Sequence, residues 1–150
     1  MRKALGILAT TAAVIASGVI LAPAASAGTY GCAGSEIDTY PVKTNGGTQY
    51  GTIHLFYDSS TGRNCAVNVA TSAGGYGTSE RTMVYLAECS GTTLSSCTSS
   101  FITSDIDSGY FAYYAGPVSI PAAGHCILVS GAREHNGVNA GAQFGPVHCG

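Results

Sequence analysis

Residues 51–69 read Gly-Thr-Ile-His-Leu-Phe-Tyr-Asp-Ser-Ser-Thr-Gly-Arg-Asn-Cys-Ala-Val-Asn-Val, and this stretch decides the fold. Ile53, Leu55 and Tyr57 alternate with Thr52, His54 and Phe56. A polar turn from Asp58 to Asn64 follows, and then Cys65, Val67 and Val69 alternate with Ala66 and Asn68. A period of two puts successive side chains on opposite faces of a strand, so two such runs around a glycine-bearing turn predict a β-hairpin. Outward from this hairpin the pattern recurs over residues 81–89, 98–104, 109–114, 117–120, 125–131 and 137–144, and no segment sustains the helical 3.6 period. The chain therefore reads as all-β, a compact disulfide-bonded β-sandwich or small barrel of about seven to eight short strands. Residues 70–79, with Gly74-Gly75-Tyr76-Gly77, hold few large apolar side chains and are expected to form a mobile surface loop.

Of the 150 residues, the first 27 have the form of an export signal. Arg2 and Lys3 precede an Ala- and Thr-rich apolar run, and Ala25-Ser26-Ala27 is the small-x-small pattern of a cleavage site, which leaves residues 28–150 as one secreted β domain. A retained anchor would need about 20 strongly apolar residues, and Gly28 stands where a lipid-modified cysteine would follow the cut. The mature part is expected to be extracellular, without membrane insertion. Its four basic residues, Lys43, Arg63, Arg81 and Arg133, face eight acidic ones, which excludes a nucleic-acid or anionic-membrane binder built on a basic face.

All six cysteines, Cys32, Cys65, Cys89, Cys97, Cys126 and Cys149, follow that cut, and an even count in an exported chain predicts three disulfides. Fifteen pairings are possible. Proximity favours Cys89 with Cys97, which closes a loop between two strand-like runs, then Cys32 with Cys65 and Cys126 with Cys149. No close pair of the zinc-ligand type occurs, so neither a metal nor another cofactor is expected.

The catalytic residue types are scattered. His54, His125, His135 and His148 form no spaced set, and His54 falls in the polar phase of its strand, as an exposed ring would. No Gly-x-Ser-x-Gly elbow is present, and paired cysteines leave no thiol nucleophile. Glu36 with Asp38, and Asp105 with Asp107, are carboxylate pairs that a strand would place on one face, as glycosidases require. An aromatic-poor chain without Trp makes an unusual glycosidase, however, and Asp105-Ile-Asp-Ser-Gly109 lacks the distal ligands of a calcium loop and reads as a polar turn entering a strand. No enzyme is expected. The most distinctive stretch is Tyr110-Phe-Ala-Tyr-Tyr114, aromatic on both faces if it is one strand. It is either a core strand with phenols at its rim or an exposed patch through which Tyr110, Tyr113 and Tyr114 bind a protein or glycan.

Residues 51–67, the stretch Asp107-Ser-Gly-Tyr-Phe-Ala-Tyr-Tyr-Ala-Gly-Pro-Val118, and Gly124-His-Cys-Ile127 with a late cysteine together resemble the spore-associated protein A family of small secreted actinomycete proteins. The resemblance implies an export signal and a four-cysteine pattern at Cys32, Cys65, Cys126 and Cys149, with Cys89 and Cys97 as an added local pair. The chain departs from it at Ile127-Leu-Val-Ser-Gly131, where the family often carries Trp. No reaction is attached to the family, so the resemblance implies association with spores or hyphae.

The resulting expectation is a non-enzymatic secreted protein of the spore or hyphal surface, or a small adaptor in an extracellular assembly. Its partner would be another secreted or cell-surface protein or cell-wall glycan. The alternatives are a protease inhibitor presenting Leu94 on the Cys89–Cys97 loop and a carbohydrate-binding module using the tyrosines.

Overall fold

In the computed structural model, which describes residues 28–150, β-branched and aromatic side chains at alternate positions build eight strands. The export-signal reading of residues 1–27 lies outside the described residues. The strands are β1 (Ser35–Thr44), β2 (Gln49–Asp58), β3 (Arg63–Ala70), β4 (Glu80–Glu88), β5 (Thr103–Phe111), β6 (Tyr114–Pro121), β7 (Ile127–His135) and β8 (Val138–Val147). The one α-helix among the described residues is α1 (Leu94–Thr98). The all-β reading holds. Among the described residues no helix is long and apolar enough to cross a membrane.

The strands form one antiparallel sheet in the order β5-β4-β7-β8-β1-β2-β3-β6, curled into a nearly closed barrel. Its two four-stranded halves meet at two thin joins. At one, β1 and β8 pair only through Lys43 with Gly141 and Thr44 with Ala140. At the other, β5 and β6 form no ladder, and side chains take its place. The Gly116 N–H donates to Asp107 Oδ2 at 2.7 Å and the Ser119 N–H donates to Asp105 Oδ2 at 2.9 Å. Asp105 and Asp107 thus lie within a strand, not in a polar turn, and their carboxylates satisfy backbone donors at the seam.

Between the halves lies the main core, with Val42, Ile53, Leu55, Val84, Leu86 and Val129 at its centre. Asn68 crosses this core from β3. Its Nδ2 donates to Met83 O at 3.0 Å and Ala132 O at 3.1 Å, stitching β3 to the register-paired residues of β4 and β7, while its Oδ1 has no partner among the described residues. The outer face of β2 and β3 carries a second cluster of Phe56, Val67 and Val69 with Cys32 and Cys65, and a third gathers Cys89, Cys97, Cys126 and Leu128. The three disulfides join the pairs that proximity favoured, Cys32–Cys65, Cys89–Cys97 and Cys126–Cys149. Cys32–Cys65 anchors the segment before β1 over the apolar outer face of β3, so β3 is buried on both faces.

Two elements differ here from expectation. β1 adds a strand that alternation did not reveal, because Ile37 sits in a bulge between Glu36 and Asp38 and slips the phase. Pro41 is tolerated there because β8 pairs with β1 only at Lys43 and Thr44. Residues 98–104 are not a strand throughout. Thr93 caps α1, accepting from the Ser96 N–H while the Ser96 hydroxyl accepts from the Thr93 N–H, and β5 starts only at Thr103. The Cys89–Cys97 bridge therefore joins a strand end to a helical turn.

Candidate functional site

The aromatic run 110–114 is a corner, not a strand. β5 ends at Phe111 and β6 begins at Tyr114, so the chain turns at Ala112 and Tyr113. Phe111 packs against the main core, whereas Tyr110 is 74% exposed and Tyr113 is 52% exposed. Tyr114 leaves this patch. It packs against the cluster of Cys32, Phe56 and Val67, with its ring 5.3 Å from that of Tyr30. The exposed phenol that joins the corner comes from elsewhere, since Tyr76 is 56% exposed and its ring meets Tyr113 edge-on at 5.1 Å. Arg81 stands opposite Tyr110 in the β4–β5 register and is also exposed. The corner thus presents the paired phenols of Tyr76 and Tyr113, with Tyr110 and Arg81 exposed together at the neighbouring ends of β5 and β4, side chains that suit flat, partly polar partners.

The loop that carries Tyr76 was expected to be mobile, and the structure corrects this. Residues 71–79 contain a 3-10 turn, Ser72–Gly74, with Gly74 buried. From β7, the buried Arg133 reaches under the loop. Its Nε donates to Gly74 O at 2.6 Å, its Nη1 to Thr82 Oγ1 at 2.6 Å and Phe111 O at 3.3 Å, and its Nη2 to Gly75 O and Thr78 O, both at 3.1 Å. All five guanidinium donors are used, four on backbone carbonyls. Burial draws the guanidinium below its ordinary pKa, and the charge of Glu80 opposes that shift. Gly75 has φ +73, and a Cβ there would run into the His135 ring, so the loop needs glycine at this point. Two further bonds, Gly77 N–H to Ala112 O at 2.8 Å and Ala70 N–H to Tyr113 O at 2.9 Å, tie loop and corner together. The sequence marks Tyr76 only as an aromatic among glycines, and what fixes it is far away in the chain.

The remaining candidates are placed as follows. Leu94 is exposed, but it opens α1 and so lies on helical rather than extended backbone. The histidines do not converge, and each meets one carboxylate. His54 Nδ1 is 2.7 Å from Glu36 Oε2, His125 Nδ1 3.5 Å from Glu88 Oε1, His135 Nδ1 2.8 Å from Glu80 Oε1 and His148 Nε2 3.2 Å from Asp38 Oδ2. His54 is half-buried beside Tyr30 instead of standing free. The bulge at Ile37 sends Glu36 and Asp38 to different partners, so they do not act as a pair. The Tyr40 hydroxyl, with smaller help from the Thr39 N–H and His148, holds the Asp38 carboxyl below its ordinary pKa. Tyr40 itself is pushed up, first by burial and then by Asp38. Among the described residues no three metal-ligating side chains gather.

No family model matches the chain, and no solved structure matches it significantly. Over 136 residues it is 29% identical to spore-associated protein A of Streptomyces coelicolor, an alignment that covers 83% of this chain and 77% of that protein. Most of the chain takes part in that alignment, and the chain is in this sense similar to spore-associated protein A.

Proposed function

We propose that the chain is a non-enzymatic extracellular protein held at the surface of spores or hyphae, where it serves as a small adaptor and docks through Tyr76, Tyr110 and Tyr113. The observation that carries this reading is the similarity to a protein named for spore association, over most of both chains. Three disulfides in a domain of this size fit an oxidising location outside the cell. The paired, dispersed histidines and the seam-bound Asp105 and Asp107 favour a binding role over catalysis. The tyrosine corner supports a docking role because its loop is already ordered by Arg133, so little conformational entropy is lost on binding. A protease-inhibitor role through Leu94 fits less well, because helical backbone does not present the extended segment a protease cleft takes up.

The test is retention. Tagged protein added to spores of a filamentous actinomycete should stay bound through mild-salt washing, and mass spectrometry of what co-elutes should return a recurrent surface companion. Tyr113→Ala with Tyr110→Ala should cut retention at least about tenfold while changing stability by less than about 1 kcal/mol, since both rings are largely exposed. Wash-off at the rate of an unrelated secreted protein would refute surface association, and unchanged retention of the double variant would refute the tyrosine corner.

A further inference from the structure

Away from the tyrosines, a cleft of about 460 Å³ opens between β1, the first residues of β3, the β6–β7 turn and the C-terminal segment. Ile37, Tyr57, Asn64, Ala122, Gly124 and His148 line it. Its volume lies within the roughly 300–1,000 Å³ typical of small-molecule sites. Asn64 is only 4% exposed and lines this cleft, and its carboxamide makes no hydrogen bond to any described residue; its polar atoms are not among the fully buried unpaired ones, so they open to the cleft. The barrel therefore positions a donor and an acceptor side by side, facing a cavity, with nothing of its own to satisfy them.

The other walls are equally fixed. Ile37 is the bulged residue of β1, and bulges commonly re-aim side chains beside binding sites. Tyr57 faces Asn64 across the β2–β3 ladder. His148 is held by Asp38 and by the Tyr40 hydroxyl, each 3.2 Å from its Nε2, while the adjacent Cys149 is bridged to Cys126. No Lys, Arg, Asp or Glu side chain lines the cleft among the described residues.

The geometry points to a binding site for the acetamido group of an N-acetylhexosamine. The complement of a carboxamide is another amide, which returns one acceptor and one donor in a paired contact. Ile37 and Ala122 give the acetyl methyl an apolar wall, Tyr57 offers a ring face to the pyranose, and the His148 ring and the Gly124 backbone can meet sugar hydroxyls. This inference rests on the surface-associated reading only for where such a glycan would be met, and its test needs no spores.

Titration of the ¹⁵N-labelled protein with the trimer of N-acetylglucosamine should shift the Asn64 side-chain amide and the Ile37 methyl resonances saturably. The glucosamine trimer, which lacks the acetyl groups, should bind at least about tenfold more weakly, as should the Asn64→Leu variant with the acetylated trimer. Ile37→Asp, at a site exposed enough to fold normally, should lose affinity similarly, whereas Tyr113→Ala should keep it. Absence of a saturable shift at Asn64 would overturn the site, as would equal affinity for the two trimers or a response to an N-acetylated dipeptide in place of the sugar. A chain that binds the trimer but washes off spores would leave this site standing and sink the surface reading instead.

Discussion

The two connections at the ends of β4 are both long excursions from the barrel, and they are held by opposite means. Residues 71–79 contain no cysteine and are held chiefly by one guanidinium, which takes the carbonyls of Gly74, Gly75 and Thr78 from the loop along with Phe111 O and the Thr82 hydroxyl. Residues 89–102 are pinned by Cys89–Cys97 and by a capped helical turn, through groups close together in the chain. The first loop holds few large apolar side chains and so has the composition of a mobile segment, yet carbonyl oxygens are ligands that composition does not show. A covalent bridge acts mainly by restricting the unfolded chain, whereas a buried cation acts on the folded state, where its removal strands the groups around it.

Replacing Arg133 should therefore be the more damaging of the two changes. Arg133→Met leaves the oxygens of Gly74, Gly75 and Thr78 without their donor, and the expected loss is about 3–5 kcal/mol in urea unfolding. Limited proteolysis should then cut within residues 71–79. Arg133→Lys should rescue little, because three donors on a flexible stem cannot replace a planar fork of five. A loss below about 1 kcal/mol with the loop still resistant would show that the loop does not depend on the cation.

Opening the other loop should cost less and stay local. Cys89→Ser with Cys97→Ser frees a short ring, worth about 2–3 kcal/mol. The same proteolysis should now cut near α1 and spare residues 71–79. Cleavage at both loops would mean that they unfold together, and the contrast between them would fail.

The same local and non-local division governs what the sequence makes legible. The β2–β3 hairpin reads directly from alternation around Asp58–Gly62, where Asp58 accepts from the Ser60 N–H and hydroxyl, and the disulfide pairing follows from separation along the chain. β1 does not read, because its bulge at Ile37 breaks the phase. Strand alternation would group Tyr110 with Tyr114 rather than with Tyr113 until the turn at Ala112 is known. Arg133 does leave a trace. In β7 it shares the inward phase with Ile127, Val129 and Gly131, and a charged residue in that phase must find partners inside. Asp105 and Asp107 share the inward phase of β5 with Phe111 in the same way. Nothing local shows that the partners are a loop in one case and a barrel seam in the other. The cleft-facing amide of Asn64 is hidden for the same reason, since β1, the β6–β7 turn and the C-terminal segment create its cleft only when the barrel closes.

The seam tests that account at a smaller scale. Asp107→Ala removes the acceptor of the Gly116 N–H, which should cost about 1.5–3 kcal/mol. Asp107→Asn keeps an oxygen at the same reach and should recover at least half of the loss. If the two variants were equally destabilised, the charge rather than the hydrogen bond would be closing the barrel.

The smallest expected effect lies at Asp38, whose carboxyl is held below its ordinary value near 3.8 first by the Tyr40 hydroxyl. A carboxylate with a depressed folded pKa binds fewer protons in the native state than in the unfolded one, so stability rises with pH across that window. The contribution is complete above the ordinary carboxylate range and is lost as the pH falls through the lower folded value. Asp38 is partly solvent-exposed, so its share is screened and modest. Tyr40→Phe should lower stability at neutral pH and flatten its fall as the pH drops below the ordinary carboxylate range, and Asp38→Asn should flatten the same limb. The urea midpoint measured across that range decides the matter. If both variants lost stability equally at every pH, the Tyr40 hydroxyl would be supporting His148 and not the Asp38 charge. The acid sensitivity of the barrel would then have to come from the other carboxylates, beginning with Asp58, which the Ser60 hydroxyl holds low in the same way.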